Sequence, residues 1–164
     1  MLKICRPSIT GFTKARLGKL APLMMSVVAA CFASALHAEE HIIEMRNQGD
    51  DGTMVFQPAF LKVALGDTVT FEPTQKGGHN TQSTLVPEGA ESWKSAYDTA
   101  ISIEMTVEGV YVYVCQPHIV LGMAGVIQVG EAVNLEAAKA AAAQTSGQFA
   151  MNTDRLTNAL AKIE

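Results

Sequence analysis

The run Cys115-Gln116-Pro117-His118-Ile119-Val120-Leu121-Gly122-Met123 restricts this chain more than any other stretch. It sets a thiol, an imidazole and a thioether in the spacing Cys-x2-His-x4-Met, close enough for one loop to turn around a single ion. A second imidazole, His79, follows Gly77-Gly78 and lies 36 residues before Cys115. Only a folded scaffold can bring it to the loop. Thiolate and thioether favour a soft metal and imidazole suits copper. Two His and one Cys with a weak axial Met is the copper arrangement used for electron transfer. His79, Cys115, His118 and Met123 are therefore the candidate ligands of one copper ion.

The sequence around this loop reads as sheet. Residues 101–107 alternate apolar and polar, turn at Glu108-Gly109, and continue as Val110-Tyr111-Val112-Tyr113-Val114-Cys115. That pattern predicts a hairpin whose second strand delivers Cys115 at its end. Residues 125–130 predict the strand that closes the structure, so the ligand loop joins two strands and is held at both ends. Earlier β-prone runs fall at 41–47, 54–56, 60–63, 68–71 and 81–86, separated by turn signals such as Gly49-Asp50-Asp51-Gly52, Gly66-Asp67 and Pro87-Glu88-Gly89. Many short strands between such turns predict an all-β sandwich or barrel. Residues 73–80 predict a loop whose glycines let the backbone approach an ion while His79 points inward. Residues 93–98 read as an irregular crossing segment.

Composition changes after Gly130. Asn134 is placed to cap an alanine-rich helix that Gly147 breaks, and Asn152 or Asp154 to cap a second helix with Leu156, Leu160 and Ile163 at helical spacing. Three segments follow: an export signal at 1–38, a sandwich at 39–130, and a helical extension of the same domain at 131–164. The first has Lys3, Arg6, Lys14, Arg16 and Lys19 without an acid, then an apolar stretch, then Ala33-Ser34-Ala35 as a small-x-small cleavage site, with a cut after Ala38 as the alternative. The apolar run is shorter than the ~20 residues of a spanning helix, so no membrane anchor is expected after cleavage. Val28-Ala29-Ala30-Cys31 resembles a lipobox, which leaves lipid anchoring through Cys31 as the other possibility.

Charge and cysteine count narrow the function. From Glu39 onward the chain has seven Lys and Arg against all sixteen Asp and Glu, a formal charge of −9. Nucleic acid needs cationic cover and is excluded. Cys115 is the only cysteine beyond the leader. An exported protein that keeps one unpaired thiol must bury it or tie it up, and a metal–thiolate bond does the latter. Only His41, His79 and His118 follow the leader, too few for a second, substrate-binding copper. An enzyme is therefore not expected. Met45 and Met105 read as core, and His41 as an ordinary residue near the mature start.

Several segments, in order, carry a family resemblance. Gly52-Thr53-Met54-Val55-Phe56-Gln57-Pro58-Ala59, Gly66-Asp67-Thr68-Val69-Thr70-Phe71, Lys76 through Asn80, Pro87-Glu88-Gly89-Ala90-Glu91, and above all Cys115-x-Pro117-His118 with Gly122-Met123 resemble the pseudoazurins, a family of periplasmic cupredoxins. The resemblance runs from about Ile42 to the end of the chain, two-helix tail included. It implies an eight-stranded Greek-key sandwich holding one type 1 copper ion through His79, Cys115, His118 and Met123, with Asn80 hydrogen-bonded at the thiolate. It implies a monomer that takes electrons from a cytochrome-like donor and gives them to a denitrification enzyme such as copper nitrite reductase. Docking would use an apolar patch around His118, among Pro117, Leu121, Met54 and Pro73, with Lys76 and Lys94 at its rim. The chain departs from the family in one additional glycine before His79, in Leu121 where Met is common, and in its strongly acidic domain. A copper chaperone or store is the alternative function. It would form a colourless Cu(I) complex and pass the metal on.

Overall fold

The computed structural model describes residues 38–164, so the expected export signal, but for Ala38, and its Ala33-Ser34-Ala35 cleavage site lie outside the described residues. Eight strands follow in order: β1 (Glu40–Gly49), β2 (Gly52–Gln57), β3 (Phe60–Val63), β4 (Thr68–Glu72), β5 (Gln82–Leu85), β6 (Ile101–Glu104), β7 (Gly109–Val114) and β8 (Ala124–Val129). Two helices, α1 (Leu135–Ser146) and α2 (Arg155–Leu160), complete the chain. One sheet has the order β2-β1-β4-β6 and the other β3-β8-β7-β5. The β1/β4 and β3/β8 pairs are parallel and the remaining pairs antiparallel. From β2 to β7 every connection carries the chain from one sheet to the other.

The hairpin predicted over 101–115 is therefore not there. β6 pairs with β4, whereas β7 pairs with β8 and β5, and residues 105–108 arch between the sheets. The alternation of 101–107 was genuine, but period-2 patterning fixes faces and not partners. Met105 turns into the core, and its backbone is held by β4's leading turn: Met105 N donates to Asp67 O at 2.8 Å and Gly66 N to Met105 O at 2.8 Å. Gly109, at φ 134°, then permits the change of direction.

Two cores explain why β7 and β8 are buried along their whole length and apolar but for Gln128 of β8. Successive side chains of a strand point to opposite faces. Tyr111, Tyr113 and Cys115 face the other sheet and pack with its Met45, Phe56 and Phe71 and with Ile127 of their own sheet. The Tyr113 ring meets Phe56 and Phe71 edge-on, at centroid distances of 4.8 and 4.9 Å. Val110, Val112 and Val114 face outward and are covered by Ala138, Ala142, Phe149, Leu156 and Ala159 of the helical extension. A strand buried on both sides is apolar almost throughout, and Gln128 is accommodated because its amide donates to the carbonyls of Gly130 and Glu164. The same alternation that sends Tyr111 and Tyr113 inward puts Cys115 on the interior side at the strand's end.

Asn134 stands at the start of α1, but its side chain does not cap the helix. Its Oδ1 accepts from Val110 N at 2.6 Å and its Nδ2 donates to Val110 O at 2.9 Å, satisfying a β7 backbone that has no further strand beside it there. Asp154 precedes α2, also without a side-chain cap bond. Among the described residues no helix is long and apolar enough to cross a membrane.

Candidate metal centre

β7 ends at Val114, and the loop after it is a 3-10 helix, Gln116–Leu121, that β8 receives at Ala124. Pro117 suits its first turn because the missing N–H would have no partner there. The loop closes on itself. Cys115 N donates to Met123 O at 2.9 Å and Met123 N to His118 O at 3.3 Å, which sets Met123 beside Cys115 in the backbone. Both residues are fully buried and belong to the inner core.

His79 arrives from the loop between β4 and β5, and it too is fully buried. Its Nδ1 lies 3.9 Å from Cys115 Sγ, and Nδ1 of His118 lies 3.4 Å from the same sulfur. One donor atom from each of these three residues falls within 4.8 Å of the others. The tertiary fold has thus closed the 36-residue gap between His79 and Cys115. His118 is half-buried and shows the rest of its ring at the surface, next to exposed Pro117.

Protonation states follow from burial. Burial, and then the neighbouring His118, lower the His79 pKa below the usual imidazole range, against a smaller opposing pull from Asp98. Burial likewise lowers that of His118. Both rings are neutral at pH 7, the form in which an imidazole can bind a metal. The Cys115 thiol is pushed up to about 11 by burial, only partly offset by the Asn80 N–H that points at it. Asn80 N donates to Cys115 Sγ at 3.4 Å, and the Asn80 side chain binds Gln116 through both its oxygen (from Gln116 N, 2.8 Å) and its nitrogen (to Gln116 Oε1, 3.2 Å). Asn80 therefore ties the His79 loop to the Cys115 loop as well as touching the sulfur. Pro117 offers Cys115 no N–H at all.

The donor set fits copper. It combines one thiol with no disulfide partner and two neutral imidazoles, without a carboxylate in the cluster, a combination that selects soft or borderline metals over Mg²⁺ or Ca²⁺.

Two supports of His79 left no trace in the sequence. Asn47, at the end of β1, presents Oδ1 to His79 Nε2 at 2.8 Å. With Nε2 donating there, Nδ1 is left as the free acceptor facing Cys115. Asp98 accepts from the backbone N–H groups of Gly77, Gly78 and His79, at 3.3, 3.0 and 2.9 Å, and returns its own N–H to His79 O at 2.7 Å. The glycine pair serves these neighbours. A Cβ on Gly77 would lie 2.2 Å from Asn47 Oδ1, and Gly78 has φ 75°. The sequence leads one to expect that room to serve the ion's approach. It is the Asn47 amide that fills it.

Comparison with known proteins places these features. Residues 43–130 match the family model described as copper binding proteins of the plastocyanin/azurin family. The chain is 44% identical to a putative pseudoazurin of Rhizobium leguminosarum bv. viciae, over 72% of this chain and 80% of that one. It is 39% identical to the pseudoazurin of Paracoccus pantotrophus, over 76% and 84%. The crystal structure of native pseudoazurin from Hyphomicrobium denitrificans superposes with a TM-score of 0.65 at 40% identity, covering 76% of this chain and 98% of that one.

Proposed function

Because the chain belongs to the pseudoazurin branch of the plastocyanin/azurin family of copper-binding proteins, we propose that it carries single electrons in the periplasm on copper held by His79, Cys115, His118 and Met123. It is a copper electron-transfer cupredoxin and not an enzyme. The observation that carries the ligand assignment is the convergence of three donor atoms within 4.8 Å, two of them on fully buried residues. Met123 would complete the set as a weakly held fourth donor, since the loop's own hydrogen bonds set it beside Cys115.

A bound copper ion supplies the Cu(I)/Cu(II) couple. The protein supplies everything that makes exchange fast. Cys115 would be the strong donor, and its sulfur accepts a backbone hydrogen bond from Asn80, while Pro117 has no N–H to offer it. His79, locked between Asn47 and Asp98, and His118, on a loop anchored by two strands, keep their positions in both oxidation states. A site that does not rearrange presents a low barrier to electron transfer.

His118 is the exit. Its half-exposed ring, with Pro117, Leu121, Met54 and Pro73, forms the apolar docking face for a cytochrome-like donor and a nitrite reductase-like acceptor. Lys76 and Lys94 are exposed and available at the rim. Such redox encounters bury little surface and are weak and fast. Residues 1–38 act as the export signal that delivers the chain to the periplasm, where it works as a monomer.

The test is an optical and paramagnetic-resonance spectrum of the copper-loaded mature domain, with voltammetry. An intense visible thiolate-to-copper band and a reversible one-electron wave are expected, both lost in Cys115→Ser. A colourless Cu(I)-only complex that hands its metal to an acceptor would replace the carrier with a chaperone. Reduction kinetics with a nitrite reductase over a salt series, for the unaltered chain and Lys76→Ala, test the docking face.

A further inference from the structure

The loop from Cys115 to Met123 satisfies most of its own backbone, but three successive carbonyls, those of Val120, Leu121 and Gly122, find partners only in the helical extension. Ala150 N and Met151 N donate to Val120 O at 2.8 and 3.3 Å. Asn152 Nδ2 donates to Leu121 O at 2.9 Å, and Arg155 Nη1 to Gly122 O at 2.7 Å. The next residue is Met123. The same guanidinium donates to the carbonyls of Met54 (2.8 Å), Asp51 (3.2 Å) and Thr53 (3.4 Å), so it bridges the metal loop to the β1–β2 turn. Arg155 is buried, and among the described residues it forms no ion pair.

We propose that Asn152 and Arg155 are positioning residues of the metal centre, fixing the three carbonyls ahead of Met123 and so setting how closely its thioether approaches the copper. The proposal rests on Met123 being the axial donor. An extension that merely covered β7 and β8 would need its apolar side chains, Leu156 and Ala159 among them, and no cation aimed at the loop. Burying a guanidinium is costly unless its hydrogen bonds are met, and here neutral carbonyls meet them. The fit is also tight. Asn152 adopts φ 51°, and Gly122, at φ 73°, leaves no room for a side chain, since a Cβ there would lie 2.6 Å from Met151 O. The axial ligand is one of the main controls of such a site's potential, and groups outside the ligand sphere tune it by holding the ligands in place.

The experiment uses the copper-loaded chain with Arg155→Met, Arg155→Lys, Asn152→Gly, Leu156→Ala and Met123→Leu. Asn152→Gly keeps the left-handed backbone and removes only the amide. Arg155→Met and Asn152→Gly are expected to change the intensity ratio of the two thiolate-to-copper bands and to shift the reduction potential, with Arg155→Lys in between. Leu156→Ala, which weakens the extension through its core, should lower the melting temperature and leave both readouts unchanged. In the metal-free protein, Arg155→Met should speed amide exchange at Met123 about tenfold or more, as for a lost charge-assisted hydrogen bond, with β1 and β4 unaffected. Folded Arg155→Met and Asn152→Gly proteins with the original band ratio and potential would overturn the proposal, as would equal shifts in Leu156→Ala. Met123→Leu with an unchanged ratio and potential would instead overturn the axial assignment and the proposal with it. Faster Met123 exchange in Arg155→Met would mark that case as a failure of the assignment and not of the anchoring.

Discussion

Nε2 of His79 lies 2.8 Å from Oδ1 of Asn47, a residue 32 positions earlier in the chain. That one contact fixes the ring's tautomer and rotation, because an amide oxygen can only accept. It leaves Nδ1 unprotonated and turned toward Cys115.

Replacing Asn47 by Leu should therefore free the His79 ring without removing a ligand. Copper affinity is expected to fall by about 10–100-fold, the usual penalty for losing a partner of a metal-bound imidazole. Competition titration against a chelator measures it. An affinity equal to that of the unaltered chain would show that packing alone orients the ring.

Two carboxylates make stability depend on acid. The N–H of Glu39, and after it the His41 side chain, hold Asp67 below the ordinary carboxylate value of 3.8, against an opposing contribution from burial. Partial burial raises Asp98, but the N–H groups of Gly77, His79 and Gly78 outweigh it and hold that residue low as well. A group depressed in the folded state stabilises fully above its unfolded pKa, and the gain disappears as pH falls through the folded value. The stability these two carboxylates supply should be level above about pH 5 and be lost below the ordinary value of 3.8, on top of a separate decline in the metal-free protein that begins near 6.5, where the imidazoles of His79 and His118 take up protons in the unfolded chain first. Denaturant titrations of Asp67→Asn and Asp98→Asn should show lower plateaus and shallower acid limbs.

Metal uptake should release a proton. With its pKa pushed up to about 11, Cys115 is a thiol at neutral pH in the metal-free protein, and only its thiolate binds strongly. Cu(II) added in weak buffer is expected to liberate one proton per chain, and Cys115→Ser none. The same burial predicts slow alkylation of the metal-free protein at pH 7, accelerating toward pH 11. Rapid alkylation at neutral pH would contradict a buried thiol.

Leu156 is fully buried beneath β7 and β8. Leu156→Ala should cost about 2–5 kcal/mol, the range for opening a cavity at a buried leucine. Denaturant unfolding of the metal-free chain measures it, free of any contribution from bound copper.

Much of this protein could be read from its residues alone. Cys-x2-His-x4-Met at the end of a β-prone run marks the loop on which Cys115 and His118 come together. Alternation through Val110–Val114 fixes which face Cys115 takes, and a lone buried thiol beside two imidazoles points to metal. These are local properties, set by side-chain chemistry and by the two-residue repeat of a strand. The rest depended on which segments became neighbours. No local pattern distinguishes a hairpin at 101–115 from an arch between sheets, because both present the same faces. Nor could spacing reveal that Asn134 serves Val110 instead of its own helix. Asn47, Asp98 and Arg155 are polar residues in unremarkable surroundings along the chain. Each gained its role only when folding set it against backbone or ring atoms from 19 to more than 100 positions away, where a buried donor or acceptor required a partner.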